Sequence, residues 1–169
     1  MRARAWRSVL LLPFNVLVVV PGVLLVTLRG GPFGARAPGL AEATTGLAIA
    51  CALLGTTLMV STIGRFDREG HGTLAPWDPT QKLVVSGPYR YVRNPMISGV
   101  LFNLLAESLL FRSAGLALWF GGFFLANALY LPLFEEPGLE RRFGDAYRRY
   151  RRAVPRWIPR LRPFDPTQP

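Results

Sequence analysis

"MISGVLFNLLAESLLFRSAGLALWFGGFFLANALYLPLF" (residues 96–134) decides the fold. Over these 39 residues only Glu107 and Arg112 are charged. A bilayer core takes about 20 apolar residues per helix, so the run is close to two spans long. The break at Phe111-Arg112-Ser113 predicts a helical hairpin, with spans at 96–111 and 113–134. Working outward, residues 44–63 and 8–28 are two further apolar runs of span length. Arg2, Arg4 and Arg7 before the first run imitate the head of a signal peptide, but the run exceeds the roughly 7–15 apolar residues of one. Gly30-Gly31-Pro32 follows it in place of a small-residue cleavage site, so a retained span is expected. The prediction is an all-α integral membrane protein with four transmembrane helices, forming a single domain over residues 1–169.

The charges give this arrangement an orientation. Half of the residues are hydrophobic, yet the formal net charge is +10. Seventeen of the 20 Lys and Arg fall before the first run, between Arg65 and Arg93, or between Arg141 and Arg162. Only Arg29, Arg36 and Arg112 lie in the alternate loops. Positive charge is retained on the cytoplasmic side, which puts both termini, the 64–96 connector and the tail there and suits a cytoplasmic membrane. Topology and anionic headgroups account for the basicity without nucleic acid. Cys51 is alone and inside a span, so no intrachain disulfide is expected.

The connector holds Gly70, Gly72, Pro76, Pro79, Gly87 and Pro88, which rules out one continuous helix and predicts an ordered loop on the membrane surface. In the tail, Leu139, Phe143, Tyr147 and Tyr150 repeat at helical spacing among arginines, bracketed by Pro137 and Pro155. That pattern predicts an interfacial amphipathic helix over 138–153. Residues 163–169 are expected to fray, and the 30–39 loop is rich in Gly and Pro.

Several side chains are candidates for chemistry. Glu107 lies mid-span, one turn beyond Asn103. A carboxylate there is costly, and the expected structural role is a hydrogen bond to Asn127 or to Thr45, Thr57 or Ser61 across the bundle. Glu135 and Glu136 stand where the last span ends, with Glu140 one turn further. They are solvated acids, a balance for the arginines beyond them, or a site for a cationic group held between the tail and the connector. Tyr89, Tyr91 and Trp77 suit interfacial anchoring, and Arg90 and Arg93 suit headgroups. Pro88 and Pro95 fix backbone beyond what an anchor needs. His71 is the only histidine, and no metal-ligand spacing, phosphate loop or nucleophile elbow is present.

Together, "GHGTLAPWDPTQKLVVSGPYRYVRNPMISG" (70–99), an apolar hairpin, and "EEPGLERRFGDAYRRYRRAVPRWIP" (135–159) resemble the isoprenylcysteine carboxyl methyltransferase family. The chain is also similar to the related membrane phospholipid N-methyltransferases. The likeness covers roughly residues 70–160. It implies methyl transfer from S-adenosylmethionine at the membrane–cytosol boundary, with cofactor-binding elements at 70–97 and 135–160. Carried over by position, the contacts would be Gln81, Lys82, Leu83, Val84, Tyr89, Asn94, Pro95, Met96, Ile97 and Glu135, with Glu136 in support. The implied partners are the bilayer and a small-molecule or lipid-like methyl acceptor: a thiol, an amine or a carboxylate. Two departures stand out. The family's Arg-His-Pro-x-Tyr pattern reads Arg93-Asn94-Pro95-Met96-Ile97, and the arginine that prenylcysteine enzymes carry one turn before the acidic pair is Leu131. These departures weaken the case for a carboxylate acceptor. They also favour one alternative, a non-catalytic protein on the same scaffold, and the basic tail offers another, a simple anionic-lipid-binding protein. Catalytic residues and oligomeric state are not legible.

Overall fold

The computed structural model describes residues 13–28, 41–65, 68–69 and 82–166. The 30–39 loop, His71, Trp77, Gln81 and the first half of the proposed cofactor loop therefore lie outside the described residues, as do residues 8–12 of the first run. Helix is the only extended secondary structure among the described residues. It comprises α1 (Val20–Thr27, led by a π-helical turn Asn15–Val19), α2 (Ala41–Arg65), α3 (Pro95–Phe111), α4 (Ala114–Tyr130) and α5 (Glu136–Ala153). Two helices are long and apolar enough to cross a membrane, Thr44–Arg65 and the continuous rod Ala114–Ala153, while Asn15–Thr27 and Pro95–Phe111 are shorter apolar helices.

The anticipated hairpin is present. Arg112 turns the chain in the left-handed region (φ 48, ψ 40), and the Ser113 hydroxyl accepts from the Leu116 N–H at 3.4 Å to start α4. Small residues bring α2 and α3 together. A Cβ on Gly55 would lie 2.6 Å from Gly99 O, and one on Gly99 would lie 2.8 Å from Gly55 O. Backbones in membrane helices approach this closely only where side chains are missing. Asn103 seals the crossing, donating to Gly99 O at 3.0 Å and accepting from Thr56 Oγ1 at 3.3 Å.

Two expectations fail here. Glu107 Oε2 is buried and has no hydrogen-bond partner among the described residues. Two of its proposed partners bond within their own helices: Asn127 donates to Phe123 O at 2.8 Å and Ser61 to Leu58 O at 2.9 Å. The carbonyl three or four residues back is always within reach of a short polar side chain. Nor is the tail helix separate, beginning at 138. It starts at Glu136 and continues α4 through a π-helical turn, Leu131–Glu135, in which the Glu136 N–H reaches back five residues to Leu131 O. Pro132 lies inside this turn without ending the helix.

The rod does break later, inside α5, where Gly144 adopts φ 55, ψ −130. That conformation belongs to glycine almost alone. Past the break, Tyr147 and Tyr150 are buried with Val154, and Leu139, Phe143, Leu83 and Val85 pack around them. The aromatic face read from spacing is thus the core between the tail and the segment that precedes α3.

Candidate functional site

The segment before α3 is shaped by a 3-10 turn, Gly87–Arg90. Gly87 has φ +53, so glycine is favoured there on backbone grounds, and a Cβ on it would displace the Arg65 guanidinium packed against it. Arg65 Nη1 in turn bonds Ser86 Oγ at 3.2 Å and ties the turn to the end of α2. Pro88 sets the first turn residue and places Tyr89 inward, 7% exposed. The Tyr150 hydroxyl donates to Tyr89 O at 2.8 Å, which fixes that carbonyl against α5. Burial pushes the Tyr89 phenol well above its usual range, with Tyr150 and the negative charge of Glu135 adding to it. Both stay neutral at physiological pH, since the same burial raises Tyr150.

The chain beyond α5 completes the enclosure. Arg93 N–H donates to Pro155 O (2.9 Å), Arg160 N–H to Tyr91 O (3.0 Å) and Phe164 N–H to Arg90 O (2.9 Å). Arg90 Nε answers with a 2.6 Å bond to Phe164 O. Fraying from residue 163 was expected, but Phe164 is held by two hydrogen bonds and packs on the Tyr150 ring at 5.8 Å. Residues 167–169 lie outside the described residues.

The adjacent carboxylates have unlike surroundings. Glu136 is 5% exposed and accepts two bonds from Arg156, Nε at 2.8 Å and Nη2 at 3.1 Å. Arg93 Nη1 lies 2.9 Å from Glu136 Oε1, yet it meets no hydrogen-bond geometry, so that contact is charge pairing alone. Arg151 stands further off at 3.9 Å. Glu135, half-buried beside them, has no cation partner among the described residues. Burial and the neighbouring Glu136 both raise its carboxyl above the usual range. The π turn sets this contrast, because it ends at Glu135 and hands Glu136 to the first turn of α5.

The other anticipated contacts are distributed around this pair. Asn94 precedes α3 and its amide makes no side-chain hydrogen bond among the described residues. Pro95 is buried at the first helical position, and Met96 and Ile97 are half-buried in the next. Val84 is buried and Lys82 exposed, while Leu83 packs on the Tyr147–Tyr150–Val154 core. The Arg93 Nε and Ser98 Oγ, flanking Asn94–Ile97, are buried without partners. Sequence reasoning missed Arg156 and Tyr150 as the groups that organise the site. Arg156 is 20 residues from its partner and carries no local signal. Tyr150 was legible only as part of an apolar face.

Comparison with known proteins bears on this geometry. The phospholipid methyltransferase family matches residues 43–146. The chain belongs to that family. No curated protein and no solved structure matches it. Membership points to a membrane methyltransferase. In this phospholipid methyltransferase family chain, the matched segment holds α2, the 3-10 turn, the α3–α4 hairpin and both carboxylates. Tyr147, Tyr150, Arg156 and the pairing tail lie beyond it.

Proposed function

We propose that the chain is an S-adenosylmethionine-dependent methyltransferase of four spans with both termini cytoplasmic. Its site lies at the membrane–cytosol boundary and its acceptor is small or lipid-like and apolar. The observation that carries the reading is Glu135, a half-buried carboxylate left without a cation while its neighbour is neutralised by Arg93 and Arg156. A ligand bearing positive charge supplies the missing counter-charge. The residues present fit the cofactor: an acid for its cationic part, the buried Tyr89 ring beside it, and the unpartnered donors Arg93 Nε and Ser98 Oγ. When bound, the sulfonium supplies an activated methyl whose transfer needs positioning and exclusion of water more than acid–base help. Tyr89 and Glu135 would hold the cationic end, with Glu136 acting through the clamp. Asn94 would orient a polar edge by its free amide. Met96, Ile97, Leu83 and Val84 would exclude water, with the exposed Lys82 at the solvent side.

An amine or thiol acceptor is favoured over a carboxylate. Leu131 is 1% exposed and apolar, and the cations nearest the site, Arg93 and Arg156, are both occupied by Glu136. The test is calorimetry of S-adenosylhomocysteine on detergent-purified protein. Glu135→Gln is expected to weaken binding about tenfold or more, the scale of one lost charge-assisted contact. Absence of binding in the wild type refutes the reading. The departures at Asn94, Ile97 and Leu131 favour a second reading, a binder that transfers nothing. Labelled cofactor incubated with a lipid and thiol extract separates the two.

A further inference from the structure

Beyond Arg156 the chain forms a loop whose side chains divide sharply. Trp157 packs on Phe124 of α4, ring centroids 5.5 Å apart. Phe124 is itself 42% exposed, and Leu118, Leu125 and Leu129 of the same helix are 55–61% exposed. That flank of α4 is what a span-length helix presents to lipid. The next residues are Ile158, 78% exposed, and Leu161, 97% exposed. Leu161 is almost wholly uncovered and Ile158 largely so, and such exposure of large aliphatics on a structured loop marks a contact surface. Arginines surround this tip. Arg162 is exposed, and Arg160 reaches back to Ala153 O at 3.0 Å, which brings the loop against the end of α5 beside the exposed Arg152. Arg152 and Arg162 form no salt bridge among the described residues, unlike Arg151 and Arg156, which are paired with Glu140 and Glu136. From 156 to 166 the only acid is Asp165.

We propose that the Ile158–Leu161 tip, ringed by Arg152, Arg160 and Arg162, docks into the anionic face of the cytoplasmic leaflet and thereby fastens the wall that carries Tyr89. Apolar side chains entering the headgroup boundary with arginines above them is the pattern of interfacial anchors, and each arginine near an anionic surface adds attraction. The consequence for the site follows from the backbone bonds already described. The loop holds Tyr91 O through the Arg160 N–H, and Arg93 N–H and Arg90 O through Pro155 and Phe164. A docked tip restrains that pairing and an undocked one leaves it free to open. The inference rests on the proposed reading in taking α4 to cross the membrane and the tail to lie on its cytoplasmic side.

The experiment uses the full chain in lipid nanodiscs, phosphatidylcholine alone against phosphatidylcholine with phosphatidylglycerol as the minority lipid. In a Cys51→Ala background, Leu161→Cys carries a polarity-sensitive fluorophore. In the anionic discs its emission should shift to the blue and be quenched by a lipid-borne quencher, and Arg162→Gln should lower the buried-to-exposed ratio about fivefold. Hydrogen exchange at the peptides holding the Arg93, Arg160 and Phe164 amides should slow several-fold in the same discs, and Ile158→Asp should abolish that slowing. A label exposed to water in both lipids, or equally buried in both, overturns the proposal. So does exchange that ignores the lipid. None of these readouts involves the cofactor, so failure of the methyltransferase reading leaves them interpretable.

Discussion

Glutamine at Glu136 and glutamine at Glu135 should move stability in opposite directions, although the two side chains are neighbours in sequence. Glu136 is 5% exposed, and Arg93, only 11% exposed at its side chain, depends on it for charge. Removing one member of a buried pair costs roughly 3–5 kcal/mol, because the remaining charge is left without a partner. Arg156, at 27% exposure, can turn partly to water, which places the expected loss near the lower end, about 3 kcal/mol. For a chain of this size that is a fall in Tm of about 6–12 °C. Replacing Glu136 and Arg156 together should recover part of it. Glu135 runs the other way. Its carboxyl is raised by burial and by Glu136, above the roughly 4.3 of the unfolded chain. The stability contributed by its protonated form is complete below the unfolded value and is lost as pH rises through the folded one. Wild type therefore loses it as pH rises through that folded value, whereas glutamine is neutral throughout. The Tm of Glu135→Gln should equal or exceed wild type once pH is above that folded value, with the difference closing as pH falls toward the unfolded value of about 4.3. Tryptophan fluorescence of detergent-purified protein during heating reads both variants over a pH series. If both lose stability to a similar degree, or if Glu136→Gln is neutral, the assignment of unlike roles to the two acids is wrong.

Further outcomes follow from single positions. Gly144→Ala meets no atom within 4 Å of its new Cβ, so its cost is backbone strain alone, about 1–3 kcal/mol, visible as faster hydrogen exchange of residues 145–153. Gly99→Val drives a side chain into Gly55 O and should part α2 from α3, lowering the yield of folded protein in gel filtration while Gly121→Val, where nothing lies within 4 Å, should not. Tyr150→Phe deletes only the bond to Tyr89 O. It should cost about 1 kcal/mol in thermal denaturation and weaken S-adenosylhomocysteine binding less than Glu135→Gln does.

The hairpin, its turn at Arg112 and the span-length α2 were legible because charge and hydropathy act over a few residues. Leu139, Phe143, Tyr147 and Tyr150 were legible as a face for the same reason, though what they face was not. Pro137 misled, since it reads as marking a new helix and here sits in the first turn of a helix that continues α4. The unequal carboxylates were invisible in sequence. "EE" looks symmetric, and the difference arises from Arg93 and Arg156, which reach Glu136 from opposite ends of the chain's second half. The bonds of Phe164 to Arg90, over 74 residues, could not have been read from a proline-rich tail.

The π turn at Leu131–Glu135 has a consequence for how such a chain can diverge. A regular helix advances roughly 100° per residue, so one extra residue sets the rotational phase of α4 independently of that of α5. The membrane-facing flank of α4 can then drift in composition to suit its lipids while the acids at its end keep their bearing toward Tyr89 and the tail. Deleting any one of Leu131, Pro132, Leu133 or Phe134 would preserve both carboxylates and the helix, and would still rotate one half of the rod against the other. Sequence alignments that score such a deletion as mild would misjudge it, because what it changes is an angle.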